Sequence, residues 1–262
     1  MQNLSDVKLL QIEMDLLWST QDGPELVVAC ARQGLRPRVG NALPEQLARS
    51  LVAEIERTPP NEDLRVPPAR LQQWRILLED ALGAAVLLSP ASGPSYFIHE
   101  DVSFPASAPL VRSDYDDLAD LRAANPGNWG ADEWQDLLEG RLGPWAMARH
   151  EQRVISICHT PKANARAAEA GTWTHPDFRG QGHAASTTAE WAALMRASDR
   201  LLFYSTSLTN ISSQRVARRL GLRQIGSLWQ LRRRPSDSGS ADPRVRAGPD
   251  KSLVRSEAVD AR

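Results

Sequence analysis

The sequence predicts an α/β protein, on three observations. Segments with apolar residues three and four apart alternate with short, apolar, β-rich runs. Clusters of Pro, Gly, Asn and Ser separate these segments. In the second half, one strand pattern passes through a glycine-rich turn straight into a helix pattern. A chain of 262 residues with 42% hydrophobic content can bury one large core or two small ones. Its 31 cationic and 32 acidic side chains leave a net charge of −1, which argues against a general polyanion binder, because phosphate contacts need a cationic surplus.

The first hundred residues read as mixed helix and strand. Leu9, Leu10, Ile12, Met14, Leu16 and Leu17 suit an amphipathic helix closed before Pro24. Leu26 to Ala31 is apolar throughout and predicts a buried strand. Pro44 to Glu56 and Pro68 to Leu82 carry helical spacing, with a loop at Thr58–Asp63 between them. Two strands are expected next, Ala84–Leu88 and Ser95–His99, with Pro90-Ala91-Ser92-Gly93-Pro94 as their loop.

Ser103-Phe104-Pro105-Ala106-Ser107-Ala108-Pro109 has the composition of a connector. Beyond it, Leu110–Arg112 predicts a strand. Helices are expected over Asp114–Ala124, capped by Ser113, and over Ala131–Leu138. Strands follow at Pro144–Arg149, Val154–His159 and Arg166–Thr174, then a helix over Gly182–Arg196. A strand at Leu201–Ser207, a short helix at Ser212–Leu220 and a strand at Gln224–Leu231 complete the pattern. After Arg232-Arg233-Arg234 the chain is too poor in apolar groups to offset ordering entropy, so a disordered tail is expected. The expected division is 1–105, an α/β region of open role; 106–232, a second domain; and 233–262, the tail.

The richest segment is Thr174-His175-Pro176-Asp177-Phe178-Arg179-Gly180-Gln181-Gly182-His183-Ala184. It leaves a strand and opens a helix. Glycines permit a tight turn with unobstructed N–H groups, and the first helical turn adds unpaired donors and partial positive charge. Such a place holds a pyrophosphate without a cluster of cationic side chains. Downstream, Asn210 is placed to cap the short helix and Gly221 to end it.

These residues resemble the GNAT superfamily of acyl-CoA-dependent N-acetyltransferases. Arg179-Gly180-Gln181-Gly182-His183-Ala184 is similar to its pyrophosphate loop, and Asn210 to Leu222 to its later signature, an Asn followed eleven residues on by Gly. Glu169-Ala170-Gly171-Thr172-Trp173-Thr174-His175-Pro176 resembles the subgroup with Glu-Ala-Gly-x-x-Thr-x-Pro before the loop. The resemblance spans roughly residues 110–231. It implies a mixed, mostly antiparallel sheet with a V-shaped splay between two parallel strands. It also implies acetyl-CoA as co-substrate, with an acetyl group passing directly to a primary amine of a small molecule or peptide.

On that resemblance, Thr172, Trp173 and Thr174 would meet the pantetheine arm. Arg179, Gly180, Gln181, Gly182, His183 and Ala184 would hold the pyrophosphate, His183 through its backbone with an exposed ring, and Asn210 would face the cofactor. Glu169 is the candidate base for the amine proton; it could equally be a solvent-facing residue or an arginine partner. The tyrosine that many members carry seven residues after the Asn is Ala217 here, so Ser213 becomes the candidate partner for the sulfur, or an ordinary first-turn serine. Tyr204 and Ser205 either line the cofactor or pack, and Trp129, Trp134 and Trp145 read as core.

Other chemistries find less support. Cys30 and Cys158 lack metal-ligand spacing and read as reduced thiols of a cytoplasmic protein. Cys158 and His159 are strand neighbours and face opposite ways, which argues against a thiol–imidazole pair. No metal is expected, and no apolar run approaches the ~18 residues of a membrane span. The residues Met1–Asp6 show no cationic region before an apolar stretch, so no secretory leader is expected. Acidic residues dilute the basic tail, which argues against nucleic acid. A non-catalytic acyl-CoA-binding regulatory module is the alternative to the enzyme. Residues 1–105 could be a substrate lid, a homodimer surface or a degenerate second copy of the fold.

Overall fold

A strand as apolar as Leu26–Ala31 must be covered on both faces, and it is buried at every position. In this computed structural model, which describes residues 4–18, 23–83, 85–114 and 118–234, it is β1 of one continuous sheet. The other strands are β2 (Gly34–Val39), β3 (Leu88–Ile98), β4 (Leu110–Arg112), β5 (Ala146–His150), β6 (Arg153–Ala163), β7 (Ala167–Thr174), β8 (Leu201–Ser205) and β9 (Arg223–Arg233). Their spatial order is β2-β1-β9-β3-β8-β7-β6-β5-β4. Among the described strands only β7 and β8 pair in parallel, and every other neighbouring pair is antiparallel.

Helices cover both faces. Helix α1 (Asp6–Met14), followed by a 3-10 turn at Asp15–Trp18, packs with Val27, Ala29, Ala167, Phe203 and Leu228. On the same face, α4 (Ala119–Arg122) and α5 (Ala131–Leu138) enclose Met147 and Ile157 with Trp129, Trp134 and Trp145. On the other face, α2 (Glu45–Arg57) and α3 (Leu71–Leu82) cover Leu26, Val28, Trp229 and Leu231. Beside them, α6 (His183–Met195) and α7 (Ile211–Arg219) cover Tyr96, Ala168, Ala170 and Tyr204. Alanines 185, 189 and 192 form the stripe by which α6 lies close on the sheet.

The sheet crosses the division expected at residue 105. Strand β3, from the N-terminal part, lies between β8 and β9. This is also where the sequence pattern misleads: 90–94 is not a loop but the middle of an 11-residue strand. Prolines are tolerated there because of the parity of the backbone. The carbonyls of Ser92 and Pro94 point away from β9, accepting from Leu208 N–H (2.9 Å) and Thr206 N–H (3.3 Å). The missing donors of Pro90 and Pro94 share that parity, so the ladder to β9 loses nothing. Gly93 is required because a Cβ there would lie 1.6 Å from the Thr206 carbonyl oxygen.

Other boundaries need correction. The helix expected over 114–124 is the four-residue α4, with 115–117 outside the described residues. The Ser113 hydroxyl, expected as the cap of that helix, accepts from Trp145 N–H at 3.2 Å and ties β4 to β5; the N–H groups it would cap lie outside the described residues. Strand β2 goes unpredicted because Arg36, Pro37 and Arg38 break its alternation. As an edge strand it accommodates Pro37, and it ties Arg38 to Asp15. Strand β6 runs four residues past His159, with a register shift between His159 and Lys162. The expected tail, apart from Arg234 and its neighbour Arg233, lies outside the described residues. The basic triplet is tied into β9, with Arg233 on Glu25 at 2.5 Å.

Candidate functional site

The site begins where β7 and β8 part. Their parallel ladder runs from Ala167↔Leu201 to Glu169↔Phe203 and stops, although β7 continues to Thr174 and β8 to Ser205. On its other edge β7 stays paired with β6 out to Thr174. His175 N–H donates to Ile155 and the Trp173 carbonyl accepts the Ser156 hydroxyl, so Gly171, Trp173 and His175 turn their peptide groups to β6. By alternation the peptide groups of Thr172 and Thr174, and not of Trp173, face the open gap.

At the mouth of the gap the chain turns through a 3-10 segment, Pro176–Phe178, into Gly180 and Gly182, both left-handed (φ 81° and 95°). Among the described residues no backbone acceptor takes the N–H groups of Gly180, Gln181, Gly182, His183 or Ala184; the first bond of α6 is Ala185 N–H to Gly182 at 2.9 Å. Side chains fix the turn instead of filling it. Arg179 Nε donates to the Thr174 carbonyl (3.2 Å), Gln181 to that of Asp177 (3.3 Å), and Arg219 to that of Gly180 (3.0 Å). A Cβ on Gly180 would meet nothing within 4 Å, so the turn opens outward. The expectation of an exposed His183 ring is wrong. That ring is buried, its Nδ1 lies 3.3 Å from the Ser107 hydroxyl, and burial followed by the nearby His150 lowers its pKa.

Glu169 and Ser213 reach the gap from opposite faces. Glu169 shares the α1 face with Phe203, which is its register partner. It is buried, accepts from the Ser205 hydroxyl and pairs with Lys162 Nζ at 3.1 Å. It is therefore neither solvent-facing nor an arginine partner. Ser213 stands in the first turn of α7 on the opposite face. Its N–H donates to Asn210 Oδ1 at 3.0 Å, so the Asn210 side-chain oxygen is spent as the helix cap. Its hydroxyl lies 2.6 Å from the Tyr204 phenol, which in turn lies 3.4 Å from the Thr172 hydroxyl. Burial pushes the Tyr204 phenol up to about 12, against the smaller opposing effect of those hydroxyls, and it stays protonated at neutral pH.

Cys158 and His159 separate as strand neighbours should. Cys158 packs against α6, with its thiol pushed up by burial, whereas His159 lies against Trp129 and Gly171 on the other face. The sequence reasoning missed Glu13, on α1. Glu13 is 3% exposed, and burial, then the charge of Glu169, pushes its carboxyl up to about 8. The signal that could have found it is an acid between Ile12 and Met14 on the apolar stripe of a helix. No three or more His, Cys, Asp or Glu side chains among the described residues are grouped to hold a metal, and no described helix is long and apolar enough to cross a membrane.

The strand, the splay and the glycine turn coincide with a known sequence family. Residues 103–223 match the acetyltransferase (GNAT) domain. No curated protein matches the chain. Solved structures similar to it include a GCN5-related N-acetyltransferase from Kribbella flavida, at 14% identity over 90% of this chain and 97% of that one (TM-score 0.48). A GNAT-family acetyltransferase from Colwellia psychrerythraea is 9% identical over 89% and 98% (TM-score 0.47). A GCN5-related N-acetyltransferase-like protein from Streptococcus suis is 16% identical over 87% and 98% (TM-score 0.43). The chain spans 66% of the length of a GNAT-family structure from Novosphingobium aromaticivorans, to which it is 22% identical.

Proposed function

We propose that the protein is an acetyl-CoA-dependent N-acetyltransferase that moves an acetyl group directly to a primary amine of a small molecule or peptide. The observation that carries this reading is the junction of a strand edge left open by β8 at Thr172 and Thr174, where only the Thr174 carbonyl is taken, by Arg179, with a turn of unspent N–H groups at residues 180–184. Peptide groups along the gap suit the amides of a pantetheine arm, and the glycine turn suits a pyrophosphate without needing a cationic patch. These residues fit acetyl-CoA, which when bound supplies an activated acetyl thioester.

The chain's own residues divide the remaining work between the two faces. Glu169 Oε2, held by Lys162, and Oε1, held by Ser205, form a fixed base on the α1 face, where the amine would lose its proton. On the α7 face the Tyr204 phenol and Ser213 hydroxyl, 2.6 Å apart, present hydrogen-bond donors where negative charge on sulfur would develop. In this scheme Tyr204 would bring a phenol to the sulfur, although Ala217 leaves none on α7. Transfer would run through the gap, with the thioester entering from one face and the acceptor from the other. The reaction needs no covalent enzyme intermediate and no metal in this scheme, and nothing in it calls for a membrane or nucleic acid. The chemistry is compatible with a cytoplasmic enzyme.

The test is titration calorimetry with acetyl-CoA, followed by thiol release with a panel of primary amines. Saturable binding and amine-dependent release support the proposal; absence of both defeats it. Glu169→Gln should bind acetyl-CoA as the parent does and lose roughly 10²–10⁴-fold in turnover. Unchanged turnover would remove Glu169 as the base.

A further inference from the structure

A row of polar side chains crosses four neighbouring strands on the face covered by α1. Ser95 of β3 stands opposite Ser205 of β8. The Ser205 hydroxyl donates to Glu169 of β7, and Glu169 stands opposite Lys162 of β6 and pairs with it at 3.1 Å. Glu13 comes down onto this row from α1. Neither of its oxygens has a partner in hydrogen-bond geometry, and the fully buried Ser95 hydroxyl also lacks one.

The two carboxyls are unequal. Glu169 has a cation and a hydroxyl donor in bonding geometry. Glu13 has neither in bonding geometry; Ser95 and Lys162 face it and favour its ionised form, but by less than burial and Glu169 oppose it. With both carboxyls ionised and Lys162 charged, the buried cluster would carry a net negative charge; with one proton bound it is neutral, and burial favours the neutral state. Two cations near α1 are engaged elsewhere: Arg223 of β9 pairs with Asp6, and Arg38 of β2 pairs with Asp15. Strand β1 brings only Cys30, which packs on the opposite face. Among the described residues, the groups that face Glu13 are Ser95, Glu169 and Lys162.

We infer that Glu13 and Glu169 hold one proton between them, carried by Glu13, and that Glu13 is a positioning residue that keeps Glu169 ionised as the base. The inference rests on the acetyl-transfer reading for the role of Glu169, but not for the proton itself. It gives the N-terminal part a share in the site, because α1 lies outside residues 103–223. With the proton in place, the pair and Lys162 are neutral together. When Glu13 ionises, a second negative charge appears beside the base. Acetyl transfer should therefore show an extra ionisation in the range where Glu13 titrates, near pH 8.

The experiment uses the full chain and two readouts. Infrared titration in deuterium oxide follows the carbonyl band of a protonated carboxyl between pH 6 and 9, a range in which ordinary carboxylates show none. The parent should show this band fading near pH 8, and Glu13→Gln should lose it. In Glu169→Gln, which removes the neighbouring charge without touching α1, the band should fade at lower pH. A parent without the band, a band that survives Glu13→Gln, or a midpoint unmoved by Glu169→Gln overturns the shared proton. The second readout is kcat/KM against pH, where Glu13→Gln should lose the ionisation seen in the parent. A profile identical to the parent's overturns the positioning role. A parent that shows the band but transfers no acetyl group counts against the acetyl-transfer reading alone and leaves the proton assignment standing.

Discussion

Gly93→Ala tests whether residues on both sides of the connector form one sheet. The added Cβ would sit 1.6 Å from the Thr206 carbonyl oxygen and 2.7 Å from its carbon, both backbone atoms, so no flexible side chain can yield. Reaching even 3.0 Å requires the 206–208 segment or β3 to move by about 1.4 Å, the difference between that limit and the built position. Such a shift strains the Thr206–Pro94 and Leu208–Ser92 hydrogen bonds, at 3.3 and 2.9 Å. Overpacking of this kind costs roughly 1–3 kcal/mol, and for a chain of this size each kcal/mol lowers Tm by about 2–4 °C. The expected fall by calorimetry is therefore about 2–12 °C, with Ser92→Ala as a neighbouring control near the parent. Because Thr206 follows Ser205, which holds Glu169, turnover should fall as well. A Gly93→Ala protein with the parent's Tm and turnover would refute the placement of β3 against the end of β8.

Gly182→Ala forces a left-handed position (φ 95°) onto a residue with a Cβ, at a cost of roughly 1–2 kcal/mol. Acetyl-CoA affinity measured by calorimetry should drop about 5–30-fold where the turn shifts to relieve that strain; unchanged affinity would exclude the turn as the pyrophosphate cradle. Burial pushes the Cys30 thiol up to about 12 and raises Cys158 as well, so a thiol reagent at pH 8 should react with neither until denaturant is added. Rapid labelling of the native protein would contradict their burial. Glu13 makes stability depend on pH: its folded pKa, about 8, lies above the ordinary 4.5 of the unfolded chain. Its contribution is whole below pH 4.5 and is lost as pH rises to about 8, so Glu13→Gln should gain in denaturation midpoint over the parent across that window. An equal pH dependence in both proteins would remove the shift.

What could be read locally was read well. The spans expected for Leu26–Ala31 and Ala131–Leu138 are those of β1 and α5. The helix after Gly182 and the cap by Asn210 also depend on near neighbours, through glycine conformation and a side chain three residues from its donor. The Pro-Gly stretch 90–94 failed because a sequence shows that proline lacks a donor but not which edge that donor would have faced. Among the described residues the helix expected over 114–124 is only the four-residue α4, and Ser113 accepts from Trp145, 32 residues away, a partner that no local pattern records.

The sequence by itself determined the alternation of strands and helices, the glycine turn between β7 and α6, and the residue types that make a base and a hydroxyl available. The tertiary fold sets the rest: β3 enters between β8 and β9, Glu169 and Ser213 meet the gap from opposite faces, and Glu13 is buried where it feels the charge of Glu169. The physical reason is range. Turns, caps and amphipathic stripes are set by residues a few positions apart. Strand order and the burial of a carboxyl depend on surfaces brought together across 150 residues, where the gain comes from excluding water and no short pattern records it.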